Sequence, residues 1–587
     1  MGYLEERETI AIAASRKFFS DINFKELNQT NFPADDIKAA WLGNIQCGNK
    51  AVEIIVSLPQ DFPDVLPKIY LSKPDELPLI PHVDEKAFVC TFDREHTTFF
   101  SENIEGMLSD SIDQARQVLA EGIAGTNAND FTTEMLAYWD IGIKFPTVYS
   151  NFAPSNASRH LMMAYVTSSD RKRTYLLSEN EDAAKQFATN LKLNINNLKF
   201  ESVLYLPNIP PFTPPFPKTN SELLVLLDES NSHNSDLLLT YLNIHDYWGY
   251  VVFSTVIEGS VALGGWVHQP QSIKAITQGY RRGHMDNRIL RTRIAGGVID
   301  RLKICRLDSK RIHSRVGLDT QELNDKTVCI IGCGSIGSKI AFNVYREGIG
   351  RLILIDDEEL LSENMGRHLC GISELGNYKV DAVKRKVLDH YPDADVVCIS
   401  TTFNEAYAKY GEIIDKSDLI VSCTADIALE RTLNNIFHTN LEFPSVLYTW
   451  TEPFGMASHA VMIGNRAEGC YECCLNPTNL HYYREVVVSD PVTYVRNEAG
   501  CQTSFIPYSS LDVEQAATLT TRLSLGWLLG GIDHNIGITY IGDISKAKKM
   551  NIKISERYIE NQPFSHITFD IEKNRNCKVC SVESSAN

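Results

Sequence analysis

Lys326-Thr-Val-Cys-Ile-Ile331-Gly332-Cys-Gly334-Ser-Ile-Gly337 is the stretch that decides the fold. Lys326–Ile331 is short and rich in β-branched residues, which predicts a strand. Three glycines follow at once in the spacing GxGxxG, and the pattern then predicts a helix to about Glu347. A second strand, Arg351–Ile355, ends in Asp356. The glycines therefore stand in their confirming context: strand before, helix after, acid about 20 residues on. Glycine permits the tight turn and a close backbone approach. The helix N-terminus offers unpaired N–H groups to phosphate, and a carboxylate after the second strand can hold ribose hydroxyls. Alone, this describes a site for a dinucleotide or for ATP.

The residues downstream favour ATP. Ser362-Glu-Asn364-Met-Gly-Arg367-His368 sets an amide and a guanidinium just past the acid, and Lys379 follows beyond Gly376. Arg and Lys together suit a triphosphate better than a hydride donor. A later strand, Leu419–Ser422, leads into Cys423-Thr-Ala-Asp426, and a carboxylate at such a strand end can hold Mg²⁺. In this order the residues resemble the ThiF/MoeB-type adenylation domain of ubiquitin-like protein activating enzymes. That resemblance implies a Rossmann-like fold in which Gly332, Gly334 and Gly337 form the turn. It implies that Asp356 binds ribose, that Asn364, Arg367 and Lys379 hold phosphates, and that Asp426 holds Mg²⁺. It also implies an upstream arginine, for which Arg311 and Arg315 are both candidates.

Cys470-Tyr-Glu-Cys473 and Cys577-Lys-Val-Cys580 are two CxxC pairs. Four thiolates can enclose one tetrahedral Zn²⁺ with no open position, a structural arrangement. The distance between the pairs lets such a site tie the chain end to the core. Cys474 adjoins the first pair as a competing ligand.

Two further cysteines are candidate nucleophiles. Cys501 lies in Asn497-Glu-Ala-Gly-Cys501-Gln-Thr503, a polar, Gly-flanked loop before a helix that starts near Asp512. Proximity to a helix start favours thiolate. By resemblance, Cys501 takes the position of the cysteine that attacks an acyl-adenylate in activating enzymes. Cys90 follows Leu79-Ile-Pro81-His82, with Leu58-Pro-Gln-Asp-Phe62-Pro63 upstream. Strands, a Phe-Pro segment, Pro-His, a cysteine and then helices resemble a ubiquitin-conjugating fold over roughly residues 10–140. His82 falls about where that fold has an oxyanion-stabilising Asn.

The 587 residues predict three or four domains at ~100–200 residues each. Hydrophobic residues make up 43% and charged residues 22%, which argues against a disordered or coiled-coil chain. Lys+Arg 56 against Asp+Glu 74 leaves a net charge of −18, which argues against broad nucleic-acid binding. The N-terminus has no basic-then-apolar leader, and no apolar run is long enough to span a membrane. With 14 cysteines too sparse for a disulfide scaffold, the expectation is a soluble cytoplasmic protein.

Three regions separate: residues 1–155, an α+β ubiquitin-conjugating-like domain; 156–310, a linker and inactive adenylation-like domain; and 311–587, the α/β adenylation domain with its zinc site. Activating enzymes often pair an active adenylation domain with an inactive one, and the middle region carries no phosphate loop or metal cluster. Its Pro207–Pro217 cluster predicts loop or extended chain.

The order of parts resembles the bacterial antiviral conjugation proteins encoded beside cyclic-nucleotide synthases, the CBASS systems. The resemblance implies adenylation of a protein C-terminus, that of a partner CD-NTase. A thioester on Cys501, transfer to Cys90 and ligation to a target amine would follow, in a homodimer. Three rivals stand beside it: a sulfur-transfer adenylyltransferase that needs no Cys90, a non-enzymatic scaffold, and a nicotinamide oxidoreductase, which has no use for Lys379 and Asp426. No His-x-His motif of a fused deconjugating metalloprotease is present.

Overall fold

A computed structural model describes residues 3–581 apart from 32, 35, 93–96, 169–170, 315–319, 489–493, 495, 498–503 and 548. Cys501 and Arg315 lie outside the described residues. The chain divides into two compact units. Among the described residues no helix is long and apolar enough to cross a membrane.

The first unit begins with a five-stranded antiparallel sheet running in chain order from Lys25–Glu26 to Phe88–Val89. Its long hairpin, Ile37–Cys47 with Lys50–Pro59, alternates buried and open positions as a half-buried sheet requires. Helices Tyr3–Asp21 and Ile104–Ala124 cover the apolar face, where Phe19 stacks on Trp41 at 4.4 Å. Asn103 caps the second helix by accepting the Gly106 N–H at 3.1 Å, and Gly125, at φ +71, ends it. This is the α+β arrangement expected of a conjugating-like domain.

The middle stretch forms a closed barrel of seven strands, ordered Gly249–Ile257, Ser260–His268, Ile299–Arg306, Val148–Ser150, Arg173–Ser178, Arg159–Thr167 and Lys199–Leu206. Only Lys199–Leu206 with Gly249–Ile257 is described as a parallel pair. Glu258 and Gly259, both at positive φ, close a two-residue hairpin that returns the chain antiparallel. Helices Asn220–Ser230 and Ser232–Ile244 lie in the chain between the two parallel strands, as a crossover connection requires. Short helices Asp130–Thr133 and Met135–Trp139, N-terminal to the expected boundary at 155, pack in this barrel's core. There Trp139 meets Trp266 and Phe253, and its Nε1–H donates to the Leu302 carbonyl at 2.9 Å.

The second unit is built on an eight-stranded mixed sheet. Its parallel part runs Asp395–Ile399, Arg351–Ile355, Thr327–Ile331, Leu419–Ser422 and Ser445–Thr451. Ala457–Ile463, Ile536–Ile541 and Ser565–Asp570 extend it antiparallel. The parallel strands are buried along nearly their whole length, as strands covered on both faces must be. The chain order reverses between Thr327–Ile331 and Leu419–Ser422, and a crevice opens outside the carboxyl ends of the strands at such a switch point.

Candidate active sites

The glycine turn sits at that switch point. Gly332 is at φ +86, a left-handed conformation that favours glycine. A Cβ on Gly337 would overlap the Gly332 carbonyl oxygen, so glycine at 337 lets helix Ser335–Arg346 dock onto the turn. Gly334 is the helix N-cap and has no side chain to satisfy the first N–H groups, which leaves them for a ligand.

A cavity of about 370 Å³ opens here. Of the expected ligands, Gly334, Asn364 and Arg367 line it. The Asn364 side chain accepts the Leu361 N–H at 2.9 Å, which fixes its short turn, and the Arg367 guanidinium lies 4.4 Å over the Tyr508 ring. Asp356 and Lys379 brace the cavity from outside its wall. Asp356 ends the Arg351–Ile355 strand and accepts N–H bonds from Cys333 at 2.6 Å and Glu358 at 2.9 Å. Burial pushes its carboxyl above the usual carboxylate range, although these bonds and the nearby Lys379 pull it down. Lys379 opens helix Lys379–Leu388 and is held by Glu358. Asp426 caps helix Ile427–Thr439, its Oδ1 accepting the Ala428 N–H at 2.9 Å. The residue is exposed, and among the described residues its second oxygen has no partner, a fit for a hydrated Mg²⁺. Arg311, on the short helix Ser309–His313, donates to Ser314 at 3.0 Å and does not line the cavity.

Sequence reading missed several wall residues. His368 is buried beneath the turn: its Nε2–H donates to the Cys333 carbonyl at 2.8 Å and its Nδ1 accepts the Cys370 N–H at 3.0 Å. Burial pushes its pKa down, in keeping with this neutral tautomer. Its place beside Arg367 was the available signal. Trp450 arrives at the end of its strand, and Tyr508 and Ser335 meet across the cavity at 3.3 Å. No local motif marks them.

The four paired cysteines converge. The sulfurs of Cys470, Cys473, Cys577 and Cys580 all lie within 4.8 Å of one another, with Cys470–Cys577 at 3.6 Å and Cys473–Cys580 at 3.4 Å. Zn–S bonds of about 2.3 Å set tetrahedral sulfurs about 3.8 Å apart, so the set fits zinc. Backbone N–H groups of Asn574 and Val579 point at Cys473 and Cys577, and the Asn434 amide points at Cys470, the donors a thiolate cluster calls for. Cys474 turns away into the apolar core, its thiol 3.7 Å from the Cys470 carbonyl.

Cys90 follows strand Phe88–Val89 and is exposed. It opens onto a cavity of about 980 Å³ whose walls include His82, Leu66, Phe99, Val118 and Glu134. His82 does lie beside Cys90, and its ring is held between Asp130 and Glu134, two acids the sequence reading did not single out.

Comparison with known proteins follows the same division. Residues 308–526 match the ThiF family and residues 20–146 match prokaryotic E2 family B. The chain is 24% identical over 233 residues to the ATP-dependent ubiquitin transferase-like protein Cap2 of Pseudomonas aeruginosa (strain BWHPSA011 / Pa011), spanning 39% of this chain and 41% of that protein. It is 22% identical over 572 residues to the protein of the same name from Escherichia coli (strain TW11681), spanning 90% of this chain and 88% of that one. Among solved structures, that of E. coli MccB with MccA-N7isoASN aligns at 18% identity with a TM-score of 0.33, over 44% of this chain and 68% of that one.

Proposed function

We propose that this chain, a prokaryotic E2 family B domain joined to a ThiF domain, activates the C-terminal carboxylate of a protein and ligates it to an amine. The two domains make it an activating and conjugating enzyme. The observation that carries the detailed reading is the pairing within one chain of two sites. One is the cavity at Gly334 and Arg367; the other is the exposed Cys90 thiol in a cavity of the conjugating-like domain.

The carboxylate attacks the α-phosphorus of ATP·Mg²⁺ at the glycine turn, and pyrophosphate leaves. In our assignment the Gly332–Gly337 turn and Asn364, Arg367 and Lys379 hold phosphates, Asp356 holds ribose and Asp426 the magnesium. The Cys501 thiolate displaces AMP to give a thioester, and Cys90 takes the acyl group by exchange. An amine on the target then displaces Cys90 to form the amide. Each cysteine splits one hard acyl transfer into easier steps. Zinc on Cys470, Cys473, Cys577 and Cys580 ties the chain end to the adenylation core. We further assign the C-terminus of a CD-NTase as substrate in cytoplasmic antiviral defence, with a homodimer as the working form, on the resemblance in the order of parts to the CBASS conjugation proteins; the relatives' printed name supports the ATP-dependent ubiquitin-like transfer alone.

A thioester assay in lysate of the native host tests this reading. Purified wild-type, Cys90→Ala and Cys501→Ala proteins receive ATP·Mg²⁺, and adducts are compared on reducing and non-reducing gels and identified by mass spectrometry. The expected result is an ATP-dependent, thiol-sensitive adduct lost in Cys501→Ala. Cys90→Ala should keep that adduct and make no amide. Full biological activity of Cys90→Ala would favour sulfur-transfer chemistry, and ATP binding with no adduct under any condition would favour the sulfur-transfer or scaffold reading.

A further inference from the structure

His82 governs the backbone at Cys90. Its carbonyl accepts the Cys90 N–H at 2.8 Å. His82 itself sits at φ +64, a conformation that costs energy for a residue with a Cβ and persists only where its surroundings enforce it. Three contacts enforce it. Its N–H donates to the Tyr138 hydroxyl oxygen at 2.6 Å. Its Nδ1 lies 3.1 Å from Glu134 Oε1, and its Nε2 lies 3.1 Å from Asp130 Oδ2. The Tyr138 hydroxyl in turn donates to Glu134 Oε2 at 3.1 Å, which closes a ring of bonds around the histidine. His82 and Glu134 both line the cavity onto which Cys90 opens.

The clamp does not come from the sheet that carries Cys90. Tyr138 is buried in the barrel core with Phe131 and Trp139. We propose that Tyr138 and Glu134 are positioning residues for acyl transfer from Cys90, acting through His82. The inference rests on the reading of Cys90 as the transferring cysteine. In that transfer the amine nitrogen bonds to the thioester carbonyl carbon, the carbon–sulfur bond breaks, Cys90 leaves as thiolate, and the proton shed by the amine passes to water. The clamp fixes both the backbone that presents the thioester sulfur and the polar ring in the wall beside it. Misplacement by about 1 Å costs on the order of 10²-fold in such reactions.

The test uses the full chain without ATP. A short peptide thioester charges Cys90 by exchange, peptide mapping quantifies the Cys90 adduct, and free L-lysine discharges it. Tyr138→Phe keeps the ring that packs edge-on to Phe131 at 4.9 Å but gives the His82 N–H no acceptor. It should lower kcat for lysine discharge about tenfold and leave KM for lysine within about twofold. Glu134→Ala should match it, and Glu134→Gln, which can still bond both partners, should restore most of the rate. Discharge at the wild-type rate in Tyr138→Phe overturns the inference. So does an equal fall in Phe131→Leu, which disturbs the same core without touching His82. If Cys90→Ala still forms the ATP-dependent amide in lysate, the underlying reading fails, whatever Tyr138→Phe does.

Discussion

Asp356 and His368 grip one residue of the glycine turn from opposite sides: Asp356 accepts the Cys333 N–H at 2.6 Å, and His368 donates to the Cys333 carbonyl at 2.8 Å. The turn is therefore held by two side chains as well as by its glycines. His368→Ala leaves the Cys333 carbonyl and the Cys370 N–H without partners, at ~1–3 kcal/mol for each buried group. We expect the KM for ATP in ATP–pyrophosphate exchange to rise roughly tenfold, with partial recovery in His368→Gln. An unchanged KM would mean that the glycines alone hold the turn.

Gly334 and Gly337 should respond differently to a methyl group. At 337 the new Cβ collides with the Gly332 carbonyl, so Gly337→Ala must displace the helix from the turn. Nothing lies within 4 Å of a Cβ at 334, and its φ is −70. Gly337→Ala should therefore lose nucleotide binding and melt several degrees lower, roughly 1–3 kcal/mol of overpacking. Gly334→Ala should melt like wild type, whatever it does to phosphate. Calorimetry with and without ATP separates the two.

The four-cysteine cluster predicts a specific metal content. Purified protein should carry one zinc per chain on the Cys470, Cys473, Cys577 and Cys580 set, by elemental analysis. Cys577→Ser should lose the metal and melt roughly 5 °C lower, as a loss of about 3 kcal/mol implies for a unit of this size. Cys474→Ser should keep it, because that thiol faces the core. Retention of zinc by Cys577→Ser would refute the ligand set.

Glu430 introduces a pH dependence. It is buried on helix Ile427–Thr439, where burial raises its carboxyl to about 7, the Tyr471 hydroxyl bond opposes that rise and Asp426 adds to it. The folded value lies above the ordinary Glu value of 4.5, so the folded state binds the proton more tightly. This stability is complete below the unfolded value and is lost as pH rises through about 7. The difference between wild type and Glu430→Gln should shift by ~3 kcal/mol over that window, read from urea midpoints. A difference independent of pH would show that Glu430 does not titrate there.

The glycine turn and the two CxxC pairs were legible because their chemistry is written in local spacing. Gly332, Gly334 and Gly337 lie within one turn, and each cysteine pair spans a single short loop. Asn364 and Arg367 were legible for the same reason, and both reached the cavity wall. Lys379 was read as a phosphate ligand, and its ammonium is held by Glu358 beside Asp356. The topology of the middle region was not legible, because short apolar strands with polar turns fit either a barrel or a degenerate adenylation sheet. Only strand direction distinguishes them, and composition does not carry it.

By itself the sequence determined which groups are available: the glycine turn, the acid at the strand end, four paired thiols and the cysteine after Pro-His. Tertiary structure decided which of them meet, and what holds them. Tyr508 reaches Ser335, His368 locks Cys333, and Tyr138 with Glu134 clamps His82 although all arrive from distant parts of the chain. Spacing along a backbone constrains only neighbours within a turn or two. Contacts across sheets and barrels depend on register and packing, which the whole fold sets at once.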